Sequence, residues 1–172
     1  IADGRGTPHR SPAWEREVLD DLSSAPVEDQ ADAVTALISH RPGLIDSSRV
    51  AIRGWSFGGY LAGLAAMRRP DIFKAAIIGA PVTDFRLYDT FYTERFMGPD
   101  DKSPNYERAS MLNDAKNLSV PVMIIHGMVD DNVLVANSLK LSSALLEAGK
   151  THEVLPLTGV THMTPQEVVA EN

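Results

Sequence analysis

Apolar and polar positions fall in blocks along the chain, and their period changes from block to block. Residues 1–12 are rich in glycine, proline and arginine without periodicity and read as loop. The spacing predicts a short helix over Trp14–Leu22, a break at Ser23–Pro26 and a second helix over Val27–His40. In that helix Ala33, Val34, Leu37 and Ile38 share one face. Arg41-Pro42-Gly43 ends it. A short strand is expected at Arg49–Trp55, then a helix from Gly58 to Arg69 and a buried strand at Phe73–Ile78. The same alternation returns with a short helix near Ala109–Ala115 and an apolar strand at Val120–Ile125. A helix at Val133–Ala148, closed by Gly149, and a strand at His152–Leu157 follow, and Pro165 opens a last helix at its first turn. Apolar strands separated by helices predict an α/β fold, a doubly wound parallel sheet with both faces covered.

Residues 81–106 break that rhythm. They hold Phe85, Tyr88, Phe91, Tyr92, Phe96 and Tyr106, six of the nine Phe and Tyr residues in the chain. A loop of this length inside a compact domain is commonly functional. Composition narrows the classes further. At 172 residues and 44% hydrophobic content the chain fits one domain with a sizeable core. No apolar run reaches the roughly 18 residues of a membrane span. With 16 basic against 23 acidic residues, binding nucleic acid by neutralising phosphates is disfavoured. The absence of cysteine excludes disulfides, thiolate catalysis and cysteine-ligated zinc, and leaves the compartment open.

The candidate chemistry starts at Gly54-Trp55-Ser56-Phe57-Gly58-Gly59, between a predicted strand and a predicted helix. G-x-S-x-G in that setting is a nucleophile elbow: a sharp turn strains the serine backbone and presents its hydroxyl at the carboxyl end of the sheet. Glycines at 54 and 58 are expected to let strand and helix approach, and the Phe57 N–H stands where an oxyanion donor is needed. A glycine-rich turn with an incidental serine is the competing reading.

A serine hydroxyl needs a base held by a carboxylate. Of the five histidines, His9 and His40 fall at surface positions and His152 begins a strand. His126, just before Gly127, reads as a brace for its turn, and His162 lies in the loop after the last strand. Loops at strand carboxyl ends carry the sites of open α/β sheets. Asp130 and Asp131 follow the strand Val120–Ile125, and one of them is expected to cap or turn. The order Ser56, Asp130, His162 is that of the α/β-hydrolases.

The string Gly54-Trp55-Ser56-Phe57-Gly58-Gly59-Tyr60 resembles the nucleophile motif of the prolyl oligopeptidase family of serine peptidases, most closely its dipeptidyl peptidase IV branch. The likeness extends to Asp3-Gly4-Arg5-Gly6, Glu28-Asp29-Gln30, Tyr92-Thr93-Glu94-Arg95-Phe96-Met97-Gly98 and His126-Gly127-Met128-Val129-Asp130-Asp131-Asn132-Val133. By this resemblance the acid is Asp130, and Asp131 is left as the turn former. A pocket for proline is implied at Phe57, Val82, Phe85, Tyr88, Tyr92 and Val133, with Asn132 donating to a substrate carbonyl. Phe85 stands where the branch usually has tryptophan, and Met163 follows His162 where the family has glycine. Phe96 and Tyr106 read as ordinary core.

The resemblance further implies an α/β-hydrolase fold in which residues 1–172 form the carboxyl-terminal part of a catalytic domain. The amino-terminal strands, the oxyanion loop with its tyrosine donor and a β-propeller would lie upstream. The implied reaction is cleavage after proline or alanine in a peptide substrate, releasing amino-terminal dipeptides, with water completing deacylation and no metal or cofactor. This stretch by itself is expected to be nearly inactive without the second oxyanion donor, and the open edge at Arg49–Trp55 is expected to drive homo-oligomer formation. An acylaminoacyl peptidase or carboxylesterase of the same fold, and a non-catalytic scaffold, are the alternatives.

Overall fold

A computed structural model describes residues 2–162. Four strands, β1 (Ala51–Trp55), β2 (Ala75–Gly79), β3 (Val122–Gly127) and β4 (Glu153–Leu157), form one parallel sheet in the order β1-β2-β3-β4. Among the described residues six α-helices accompany them: α1 (Pro12–Arg16), α2 (Ser24–His40), α3 (Phe57–Arg68), α4 (Thr90–Met97), α5 (Pro104–Ala109) and α6 (Ala136–Glu147).

The register aligns the strand ends that matter. Trp55 lies beside Gly79, Gly79 beside Ile125, and Gly127 beside Leu157, so three strand-to-loop exits share one rim. Sequential order with right-handed crossovers puts the connecting helices on one side of a sheet. Accordingly α3 packs on β1 and β2, α6 on β3, and the 3₁₀ segment Met111–Asn117 bridges the two helices. Ala76, Ile78, Val122 and Ile124 point into that layer and are buried. Strand alternation turns Arg53, Ile77, Met123, Ile125 and Leu155 to the other face. There Ile77 is 43% exposed, so among the described residues the helical layer covers one face. Pro156 fits because β4 is an edge strand among the described residues, where a missing N–H leaves no ladder bond unmade.

Helix α3 carries much of the core: Gly59, Tyr60 and Ala62–Met67 are all buried. The Tyr60 hydroxyl donates to the Ala109 carbonyl at 2.9 Å, and its ring meets Phe85 edge-on at 5.2 Å. Burial pushes the Tyr60 phenol far up, so it stays a donor.

Several elements differ from their sequence-based bounds. Helix α1 is five residues long, capped by Ser11 accepting from the Trp14 N–H, and is followed by a turn in which Asp20 takes φ 63°. Helix α2 begins at Ser24, with Pro26 in its first turn, where a missing N–H costs nothing. Helix α6 starts at Ala136 because Val133 and Leu134 belong to the preceding turn. The aromatic stretch is not a loop: it folds as a 3₁₀ turn, Phe85–Leu87, then α4 and α5. The expected helix near Ala109–Ala115 is the end of α5 continued by the 3₁₀ segment Met111–Asn117. The helix expected at Pro165 lies outside the described residues.

Arg5 clamps the amino-terminal loop to α2. Its guanidinium meets both carboxylate oxygens of Asp29, the closest contact being 2.7 Å. The hydrogen bonds from Arg5 hold the Asp29 carboxyl below the usual carboxylate range. A carboxyl lowered in the folded state binds fewer protons there than in the unfolded chain, so it adds stability at neutral pH that disappears as pH falls through the lowered value. Asp29→Asn is expected to cost about 1–3 kcal/mol near pH 7. The gap between the two thermal midpoints should close in acid; a gap constant with pH would contradict the assignment.

Candidate active site

Ser56 joins β1 to α3 in a single residue. Its backbone sits at φ 59°, ψ −121°, a conformation that non-glycine residues avoid and that the surroundings must enforce. The Ser56 N–H donates to the Gly79 carbonyl at 2.9 Å, and its carbonyl accepts from Tyr60 N–H at 3.0 Å. The glycines permit the approach, though not the pair expected. A Cβ at Gly54 would run into the Gly58 carbonyl and one at Gly59 into the Gly79 carbonyl, whereas a Cβ at Gly58 would meet nothing within 4 Å. Gly54 and Gly59 therefore carry the steric demand. The Phe57 N–H opens α3, among the amides that have no partner within a helix, with the positive end of the helix dipole behind it.

The acid loop leaves β3 at the same rim. Asp130 is 5% exposed, and its two oxygens have separate tasks. Oδ1 accepts from the N–H groups of Asn132 at 3.0 Å and Val133 at 2.9 Å, which closes the turn. Oδ2 lies 2.7 Å from His162 Nδ1. The turn former is thus Asp130 itself, while Asp131 is exposed and makes no side-chain hydrogen bond among the described residues. A carboxylate only accepts, so Nδ1 donates and Nε2 is left as the free nitrogen of the ring.

His162 is 9% exposed and is held through its backbone as well. The Trp55 indole N–H donates to the His162 carbonyl at 2.8 Å, tying the histidine loop to the residue before Ser56. Met128 and Val129 donate to the Leu157 and Val160 carbonyls, so the loop after β4 lies against the acid turn. No hydrogen bond joins Ser56 Oγ to the His162 imidazole among the described residues; such contacts are often loose without substrate. Of the other histidines, His9 and His40 are exposed and His152 lies just before β4, bonded to Ser142 Oγ at 2.7 Å. His126 is buried beneath the acid turn.

The aromatic candidates fall into two connected groups. Phe57, Tyr60 and Phe85 pack in a row, the first pair tilted and the second edge to face, with Val82, Phe85 and Val133 buried in the core. Tyr88 and Tyr92 pack edge to face at 5.5 Å, Phe96 extends the row, and both tyrosines are half-buried. Burial, with Tyr88 and Asp89 nearby, raises the Tyr92 phenol above its usual range. The Tyr88 hydroxyl donates to Asn132 Oδ1 at 3.1 Å, which bridges the groups and leaves the exposed Asn132 amide N–H₂ free to donate. Tyr106 is buried, its hydroxyl donating to the Gly98 carbonyl at 2.8 Å. Sequence reasoning passed over the Trp55 indole, Ser138 and the Thr83–Asn137 pair, in which the Thr83 N–H donates to Asn137 Oδ1 at 3.0 Å and ties the segment after β2 to α6. Only Trp55 had a signal, its place inside the serine motif.

A strand–serine–helix elbow, a buried carboxylate–imidazole pair and an aromatic wall at one sheet rim invite comparison with known hydrolases. Human dipeptidyl peptidase 8 is 40% identical over 158 residues, which is 90% of this chain and 18% of that protein. Pig dipeptidyl peptidase 4 is 35% identical over 164 residues, 93% of this chain and 21% of that protein. The chain spans about a fifth of the length of the curated relatives it matches. Among solved structures, dipeptidyl peptidase 4 of Porphyromonas gingivalis superposes with a TM-score of 0.89 at 32% identity, covering 98% of this chain and 25% of that one. The shared architecture is the α/β-hydrolase fold. A model of the prolyl oligopeptidase family matches residues 1–171, and with the elbow and its neighbours in place the chain belongs to that family.

Proposed function

We propose that the protein is a serine peptidase that cleaves peptides after proline or alanine and releases amino-terminal dipeptides. The observation that carries the reading is the buried 2.7 Å contact between His162 Nδ1 and Asp130 Oδ2, on the rim where Ser56 leaves β1. Asp130 fixes the imidazole so that Nε2 is the base. Nε2 takes the Ser56 hydroxyl proton as Oγ attacks the scissile carbonyl, and the Phe57 N–H stabilises the oxyanion. The same proton passes to the leaving amine as the C–N bond breaks. Water, deprotonated by Nε2, then attacks the acyl-enzyme; Ser56 recovers its proton and the carboxylate product leaves. No metal or cofactor enters the balance.

The proline ring would lie against Phe57, Val82, Phe85, Tyr88, Tyr92 and Val133, an apolar disc between aromatic walls. The Asn132 amide, turned by Tyr88, would donate to the carbonyl of the preceding residue. The dipeptidyl peptidase relatives favour release of dipeptides over the esterase alternative. On the full-length protein, a chromogenic Gly-Pro substrate is expected to be hydrolysed and its N-blocked counterpart left intact. Equal turnover of the blocked substrate would point to an acylaminoacyl peptidase. For residues 1–172 taken alone we further infer self-association through the β1 edge, which pairs only with β2 among the described residues; light scattering on that stretch that finds a monodisperse monomer would contradict it.

A further inference from the structure

A second imidazole lies under the acid turn, and the chemistry above does not use it. His126, near the end of β3, is 1% exposed, and both of its ring nitrogens are engaged. Nε2 lies 2.8 Å from the Val133 carbonyl oxygen and Nδ1 2.7 Å from Ser138 Oγ in α6. A carbonyl oxygen can only accept, so Nε2 carries the proton, and Nδ1 accepts from the Ser138 hydroxyl, which fixes the tautomer. Nε2 also lies 3.2 Å from Asp130 Oδ2, the oxygen that faces His162. The turn is therefore held on both sides: Asp130 Oδ1 takes the Val133 N–H, and His126 takes the Val133 carbonyl.

We propose that His126 is a positioning residue for the acid. By gripping the Val133 carbonyl, and by setting the positive edge of its N–H beside Oδ2, it fixes the Asp130–Val133 turn so that Oδ2 is aimed at His162. The chain of contacts runs from Ser138 through His126 and Asp130 to His162. The same turn carries Asn132 and Val133, so the acid and one wall of the substrate pocket are set by one side chain. Without the ring nitrogens, a buried carbonyl loses its donor and the turn gains a rotation that its own Oδ1 bonds cannot prevent. The inference rests on the serine-hydrolase reading above for its activity arm alone.

The test compares His126→Phe, which keeps a flat ring without nitrogens, with His126→Gln, whose amide N–H reaches about as far as Nε2. Fluorophosphonate modification of Ser56 in the full-length protein, scored per folded molecule, is expected to slow about 10²-fold in the Phe variant. The Gln variant should recover most of the parent rate. The downfield proton resonance of the His162 Nδ1–H bonded to Asp130 should be displaced or lost in the Phe variant and retained in the Gln variant. A purely structural His126 would lower the thermal midpoint in both variants while leaving the labelling rate per folded molecule and that resonance unchanged, and this result overturns the proposal. If the Phe variant does not fold, the imidazole nitrogen shifts of the parent protein decide: Nε2 protonated and Nδ1 bare is required, and the opposite tautomer refutes it. A parent protein that is not labelled at Ser56 would sink the hydrolase reading, while the resonance and tautomer measurements would still judge His126. A labelled parent with an equally labelled Phe variant would sink the positioning role and leave the hydrolase reading standing.

Discussion

Asp130→Asn is expected to fold like the parent and to react with a fluorophosphonate at Ser56 about 10⁴-fold more slowly. The size of the effect follows from the division of labour between the two carboxylate oxygens. An asparagine would keep its oxygen on the Asn132 and Val133 N–H groups, where Oδ1 now closes the turn. Its amide N–H₂ would then replace Oδ2 and face the His162 Nδ1–H, donor against donor, with the His126 Nε2–H a second donor 3.2 Å from the same position. The imidazole escapes that clash by moving its proton to Nε2, and the nitrogen needed as base is no longer free. Geometry would survive while the tautomer is wrong. Asp130→Ala removes the turn as well and is expected to lose stability in addition. A fall of less than tenfold in the Asn variant would show that another group supports the histidine.

Gly54→Ala is expected to prevent stable folding. The new methyl would overlap the backbone carbonyl of Gly58, and that carbonyl cannot retreat. Helix α3 is pinned behind it, with the Gly59 α-carbon against the Gly79 carbonyl and the Ser56 N–H bonded to the same oxygen. The clash is therefore with backbone held on both sides rather than with a flexible side chain. A cost above about 4 kcal/mol is expected, against a total stability of about 5–15 kcal/mol for a domain. Gly58→Ala, only four residues away in sequence, places its methyl in open space. It is expected to match or exceed the parent stability, by up to about 1 kcal/mol. Urea unfolding of the two variants checks the contrast, and equal losses would show that the elbow is not limited by the approach of β1 to α3.

Much of this was legible in the order of residues. Val120–Ile125 and Ala75–Gly79 are continuous apolar runs of strand length, and a strand buried against a helical layer needs little else. The serine motif carries its own strand-to-helix context. The aromatic stretch was misread because α4 and α5 are eight and six residues long, too short to stand on periodicity. Its cap was nonetheless present: the Asp89 side chain accepts from the Tyr92 N–H at 2.8 Å. What could not be read were contacts between distant positions. Tyr88 meets Asn132 across 44 residues and Trp55 meets His162 across 107, and no local pattern encodes either. The choice between Asp130 and Asp131 as turn former likewise depended on orientation: one carboxylate performs both tasks because its oxygens point in opposite directions.

We propose that Ser56, Asp130 and His162 act as one acyl-transfer centre. Incubation of the full-length protein with a fluorophosphonate, followed by peptide mass spectrometry, is the test. The adduct is expected on Ser56 alone, and it should disappear in Ser56→Ala and fall to near background in His162→Ala. An adduct on another residue, or labelling of Ser56 that persists undiminished without His162, would contradict it.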